Sequence, residues 1–223
     1  MKSNQFLERP TKEEIRELPK FDGLPLEKIC LIQSSEDVIF AQEEILKSTH
    51  LGFDTESKPN FVANQPSTGP HVLQVSTENH AFLFMPNHRP SNDLLVEIIQ
   101  SERLIKVGFG LKSDRGPIFG KLGVKLRSAI ELSGVVKQLG YEQTIGLQTA
   151  VAVVLGQYLQ KSKNTTLSNW SASPLSTAQK LYAANDAYAS LRVYLQLSRV
   201  APHLLHRLEN LVAKEAGANG RAR

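Results

Sequence analysis

Asp54-Thr55-Glu56 is where the sequence first asks for something other than packing. Leu51-Gly52-Phe53 leads into it as a buried strand does, and on a strand positions i and i+2 point to one face. Two carboxylates held side by side repel each other, and the arrangement is costly unless a cation sits between them. The plain alternative is a strand end carrying two solvated acids. Tyr182 and Asp186, in Tyr182-Ala183-Ala184-Asn185-Asp186, stand at i and i+4, a helical turn apart on one face. Read for packing alone, they are a core tyrosine bonded to a surface acid. Asp114 closes the run Gly108-Phe109-Gly110-Leu111-Lys112-Ser113-Asp114. Its plain reading is a helix-start acid favoured by the helix dipole and paired with Arg115. Each signal is weak when taken singly.

The elements that must position these residues alternate along the chain. Lys28–Ile32 is an apolar strand candidate, followed by Ser34-Ser35 as a cap and a helix carrying Val38, Ile39, Ala41, Ile45 and Leu46. Three extended runs then come close together: Leu51–Thr55, His71–Ser76 and Ala81–Met85, the last two separated by a hairpin-length gap. Ser91 caps the next helix, Leu104–Phe109 reads as a buried strand, and Lys112–Leu122 as a helix interrupted at Gly116-Pro117. Lys125–Leu132 is extended, and Leu132–Leu139 and Leu147–Leu155 are helical. Gly156–Trp170 is polar and long enough for a functional loop. The capping box Ser176-Thr177-Ala178-Gln179 opens a helix to about Leu197, and Pro202–Ala216 is one more amphipathic helix. Three consecutive strands and then strands alternating with helices predict an α/β fold: a mixed sheet, its first three strands antiparallel and the rest parallel, with helices on both faces.

At 223 residues, 41% hydrophobic and 22% charged, the chain can bury a sizeable core and is not of disordered composition. No run approaches the ~18–20 apolar residues of a membrane helix. Met1-Lys2-Ser3-Asn4-Gln5 leads into charged residues without a secretory apolar region. Cys30 alone makes no internal disulfide and builds no zinc set. A soluble protein of a reducing compartment, the cytoplasm, is expected. The net charge is +4, with most of the surplus near the C-terminus (Arg199, Arg207, Lys214, Arg221 and Arg223 against Glu209 and Glu215). A denser internal group, Lys106, Lys112, Arg115, Lys121, Lys125 and Arg127 around Asp114, favours a polyanionic partner over a small neutral substrate.

In this order, a strand with Asp-x-Glu, a central Asp after a strand and glycines, and a late helix with Tyr-x-x-x-Asp resemble the DEDDy branch of the 3′–5′ exonuclease superfamily. That is the ribonuclease-H-like fold of ribonuclease D, proofreading exonucleases and the Werner-type exonuclease domain. The likeness extends past the acids. Lys106-Val107-Gly108-Phe109-Gly110-Leu111-Lys112-Ser113-Asp114 is similar to the family's second motif. Leu167-Ser168-Asn169-Trp170, Pro174-Leu175, Gln179 and Tyr182-Ala183-Ala184-Asn185-Asp186-Ala187-Tyr188 are similar to its third. It covers about Ile29 to Leu197. The histidine branch would place His at the position of Leu181, whereas Tyr182 stands at the tyrosine-branch position.

The resemblance implies a two-metal site for Mg²⁺ or Mn²⁺, with the ions ~4 Å apart on the scissile phosphate. Asp54, Glu56 and Asp186 would hold the first ion. Asp54 would bridge to the second, which Asp114 supports largely through water. Tyr182 would orient the attacking water, since a phenol of pKa ~10 stays protonated near neutrality. The implied activity is a 3′–5′ exonuclease acting on single-stranded or 3′-recessed or overhanging DNA or RNA and releasing nucleoside 5′-monophosphates. Thr55, Lys112, Lys161, Lys163 and Trp170 are candidate nucleic-acid contacts. The expected division is an N-terminal extension packed on the domain (1–28), the exonuclease domain (29–198) and a C-terminal helix with basic tail (199–223). With one helix beyond the motif helix and no accessory domain, a stand-alone nuclease is expected.

Other readings fit less well. Gly108-Phe109-Gly110 lacks the third glycine of a dinucleotide fingerprint, Ser113 standing there, so no nucleotide cofactor is expected. Phosphate-loop and Gly-x-Ser-x-Gly motifs are missing. His203 and His206, near Glu209, read as helix surface. Relatives place an aromatic residue directly after the Glu of the first motif; here it is Ser57, with Phe61 the nearest aromatic. The alternatives are a catalytically silent nucleic-acid-binding adaptor, which would usually have lost an acid, and a ribonuclease-H-type endonuclease, which the Tyr-x-x-x-Asp spacing disfavours.

Overall fold

The computed structural model describes residues 6–60, 68–86 and 89–219. A helix α1 (Lys12–Glu17) precedes β1 (Ile29–Leu31), α2 (Ser35–Leu46), β2 (His50–Glu56), β3 (Val72–Ser76), β4 (Ala81–Phe84) and α3 (Arg89–Gln100). Then come β5 (Ile105–Gly108), α4 (Leu111–Leu122), β6 (Ala129–Glu131), α5 (Leu132–Lys137) and α6 (Leu147–Ala150), which continues as a π-helical turn Val151–Leu155. A one-turn α7 (Lys163–Thr166), a long α8 (Thr177–Val200) and α9 (His203–Asn219) complete it. The sheet order is β1-β4-β3-β2-β5-β6.

The three consecutive strands β2, β3 and β4 form the antiparallel meander, and β5 and β6 add in parallel beside β2. The sheet gains a further strand at its other edge: β1 pairs with β4 in parallel, Ile29 opposite Ala81. Alternation along β2 sorts its side chains. Leu51 and Phe53, both fully buried, join the core under α2 and α3 with Ile45, Leu95 and Ile98. Gly52 faces α8, so close that a Cβ there would run into the Ala187 carbonyl. The period of two therefore carries Asp54 and Glu56 onto the α8 side as well.

α8 starts where the capping box predicts: the Gln179 N–H donates to the Ser176 hydroxyl at 3.2 Å, and the Gln179 side chain accepts from the Ser176 N–H at 3.0 Å. Its inward face, including Ala183, Ala187 and Leu191, is buried against the sheet. In contrast to the expected interruption, α4 runs unbroken through Gly116-Pro117. Ser113, Gly116 and Pro117 are exposed, so water can satisfy the carbonyl that proline leaves unpartnered. Among the described residues no helix is long and apolar enough to cross a membrane.

Candidate active site

The strand and the long helix bring three carboxylates together. Asp54 and Glu56 on β2 and Asp186 on α8 each offer an oxygen within 4.8 Å of the other two. Among the described residues no other group of three His, Cys, Asp or Glu converges in this way. The cluster is electrostatically frustrated. Burial, then the neighbouring Asp54 charge, pushes the Glu56 carboxyl up to about 9. Burial and the Asp186 charge raise Asp54, while burial raises Asp186 against the opposing pull of Lys161. Like charges crowded in a low-dielectric pocket are relieved either by a proton or by a cation. A set of carboxylate oxygens is what a hard divalent ion takes, so the donor set fits a magnesium- or manganese-type ion.

Asp114 stands on the first turn of α4, outside that triad. Burial pushes its carboxyl up to about 6, opposed by a hydrogen bond from the Thr55 side chain. Its charge still reaches Asp54 and Glu56. Thr55 thus lies between the two groups of acids, and its own N–H donates to Asp54 Oδ1 at 2.8 Å. Glu131, which sequence reading passed over, positions the start of α4. Its Oε1 accepts from the Gly110 N–H at 3.2 Å and the Ser133 N–H at 3.1 Å, and its charge pushes Asp114 up further.

Tyr182 shares a 3.0 Å hydrogen bond with the Thr166 hydroxyl of α7, and burial holds its phenol above the ordinary value. Trp170 is fully buried, so its ring offers no face to a strand. It packs on Tyr182 with centroids 5.8 Å apart and donates to the Thr166 carbonyl at 3.3 Å, a support for the tyrosine rather than the contact expected of it. Lys161 is also placed differently from an exposed loop cation. Its ammonium lies 2.6 Å from Asp186 Oδ2 and 5.2 Å above the Tyr182 ring, with the side chain only 24% exposed. Lys163 and Lys112 are exposed. Lys106 is fully buried, donating to the Ser101 and Leu104 carbonyls at 2.7 and 2.6 Å, which removes it from the basic group expected to face a polyanion.

Gln74 is a second residue that the sequence did not flag. It is fully buried on β3 opposite Asp54. In the amide orientation that satisfies its surroundings it donates to the Asp54 and Val72 carbonyls at 3.0 and 3.3 Å. A buried polar side chain tied to the backbone beneath an acid fixes that acid's height in the pocket. Ser57 is half-buried at the end of β2, and Phe61 lies outside the described residues.

The chain is similar to known proteins over most of its length. The model of a 3′–5′ exonuclease family matches residues 30–201. The mouse bifunctional 3′–5′ exonuclease/ATP-dependent helicase WRN is 33% identical over 155 residues, 67% of this chain and 11% of that protein. An Arabidopsis thaliana 3′–5′ exonuclease is 30% identical over 146 residues, 65% of this chain and 51% of its own length. The chain thus spans about half or less of these relatives. Among solved structures, Trypanosoma brucei RNase D superposes with a TM-score of 0.71 at 18% identity, covering 83% of this chain and 70% of that one. The same enzyme in complex with RNA U12 gives 0.65 at 16%, covering 83% and 64%. At such identities the superpositions show a shared fold. The family match is of another kind, for its span reaches from β1 to the end of α8 and includes the positions of all four acids and Tyr182. By that match the chain belongs to the 3′–5′ exonuclease family.

Proposed function

We propose that this protein is a metal-dependent 3′–5′ exonuclease that hydrolyses the terminal phosphodiester of DNA or RNA and releases nucleoside 5′-monophosphates. The observation that carries the reading is the convergence of Asp54, Glu56 and Asp186 one helical turn from Tyr182, inside a 3′–5′ exonuclease family domain. Asp54, Glu56 and Asp186 would hold one divalent ion, and Asp54 with Asp114 a second, of the Mg²⁺ or Mn²⁺ kind. Bound there, such ions polarise the phosphate, lower the pKa of water and stabilise the departing 3′ oxygen. Tyr182, a phenol kept protonated and steered by Thr166, donates or accepts one hydrogen bond and so orients water for in-line attack. It is not the base. Gln74 and Thr55 hold Asp54 and Asp114 in place. A related fold has been solved with RNA U12, which supports a nucleic-acid substrate. Retention of every acid and of the tyrosine tells against a silent adaptor.

Matched DNA and RNA strands, single and with recessed or overhanging 3′ ends, labelled at the 5′ end, test the reading. Stepwise shortening in Mg²⁺ or Mn²⁺, stopped by EDTA and by a 3′-phosphate but not by a 5′ block, is the expected result. Undiminished cleavage in excess chelator would remove the metal mechanism, and rapid cutting of a circular strand would favour an endonuclease.

A further inference from the structure

A cleft of about 530 Å³ opens beside Tyr182 and Asp186, and one of its walls lies outside the family-matched region. That wall is the segment between α1 and β1, with Lys20, Phe21, Gly23 and Leu24 facing the cleft. The opposite wall is α8, where Ala178, Leu181 and Asn185 occupy successive turns and Tyr182 lies beside Leu181. The segment is not loosely laid against the domain. The Phe21 N–H donates to the Tyr158 carbonyl at 2.9 Å, and the Tyr158 N–H donates to the Pro19 carbonyl at 2.7 Å. The Leu24 N–H donates to Asn185 Oδ1 at 2.9 Å, and the Phe21 ring lies 5.9 Å from that of Tyr188. Gly23 passes so close to Asn185 that a Cβ there would run into its amide.

The lining is of two kinds. Phe21, Tyr158 and Leu181 supply aromatic and apolar surface, while Gln160, Ser162 and Thr165 supply hydrogen-bonding groups. Lys20 adds an exposed cation at the segment's start. Flat apolar surface, several neutral donors and acceptors and one cation are what a nucleotide requires: a stacked base, a polar edge and a phosphate. The volume lies in the range of small-molecule sites. Position adds the rest, since the cleft shares Asp186 with the carboxylate cluster and is also lined by Tyr182, one helical turn from that acid.

We propose that this cleft holds one nucleotide unit of the strand being degraded, with the N-terminal segment supplying the aromatic surface for its base. The inference rests on the exonuclease reading and adds to it a specificity-determining wall built by residues outside the family domain. Phe21 is a binding residue here, with no part in the metal chemistry.

Phe21→Leu keeps apolar bulk against Tyr188 but removes the ring; Phe21→Trp restores a stacking face. The full chain and both variants are compared by KM and kcat on a labelled single strand in Mg²⁺. Anisotropy of the same strand in chelator, where turnover stops, reads binding separately. Phe21→Leu should raise KM and the dissociation constant about tenfold, as expected for the loss of one base–aromatic stack, with kcat within about twofold. Phe21→Trp should recover both, and melting temperatures should stay within a few degrees of the parent. Unchanged KM and binding in Phe21→Leu would overturn the proposal, as would a loss that Phe21→Trp fails to recover. If the parent chain itself shortens no strand, the exonuclease reading falls, and the anisotropy ratio still reports on the cleft.

Discussion

At the scale of single residues, Lys161 changes what the four acids mean. Its ammonium sits against Asp186 Oδ2, where it offsets a buried charge that Asp54 and Glu56 would otherwise oppose. A divalent ion using Asp186 must compete with that ammonium. Lys161→Met should therefore tighten Mn²⁺ binding several-fold in calorimetry, and weaker binding would show that the lysine instead prepares the site. Tyr182→Phe should leave the same titration unchanged while turnover falls at least tenfold, because only the hydroxyl is removed. The acids also give the chelated protein a pH signature. Glu56 is ordinarily near 4.5 and is raised to about 9 by burial and by Asp54, so folding favours its protonated form. The stability it contributes is complete below its unfolded value and is lost as pH climbs through that window. In EDTA the melting temperature should fall from mildly acidic pH to pH 9, and Glu56→Gln should flatten the decline. A melting temperature that rises with pH over this range would contradict the frustrated-cluster account.

At the scale of elements, the site is a contact between β2 and α8, and Gly52 permits it. A methyl at that position meets the Ala187 carbonyl, one residue from Asp186, which backbone cannot yield without moving the helix. Gly52→Ala should destabilise by roughly 1–3 kcal/mol or more and weaken metal binding together with stability, whereas Gly116→Ala, on an open surface of α4, should do neither. Chemical denaturation and metal titration of both variants check this. What the sequence made legible at this level follows from periodicity. Alternation placed Asp54 with Glu56, helical spacing placed Tyr182 with Asp186, and Ser176 with Gln179 marked the start of α8. Pro117 was misleading because a proline's cost depends on whether water reaches the freed carbonyl, and exposure is a tertiary property. The parallel pairing of β1 with β4 joins residues 52 positions apart, Ile29 with Ala81, and has no local mark. Gln74, Glu131 and the inward turn of Lys161 escaped for the same reason: their roles depend on what lies across the sheet or beneath the loop.

For the whole molecule, the proposed exonuclease function raises the question of which positive charges would meet a strand. The surplus is +4, from 26 basic and 22 acidic residues, and the fold assigns several of the cations elsewhere. Lys106 is buried among carbonyls, Lys161 is held by Asp186, Arg127 pairs with Glu102 at 2.6 Å, and Arg115 donates to the Leu126 carbonyl at 3.1 Å. Lys163 on α7 and Lys112 at the start of α4 remain exposed on the elements that carry Thr166 and Asp114. Each phosphate contact releases condensed counterions, so losing one lowers the log–log salt slope of binding to a single strand by about 0.7. Removing the charge of Lys163, alone and together with Lys112, should raise KM and flatten its salt dependence by about that step per residue, with kcat nearly unchanged. Lys106→Met should alter stability without touching the slope. Charge removal at Arg221 and Arg223, which lie outside the described residues, should change it less than the Lys163 variant does. If the tail substitutions alone flatten the slope, the strand is held by the chain's end, and the cations beside the carboxylates are ordinary solvated surface.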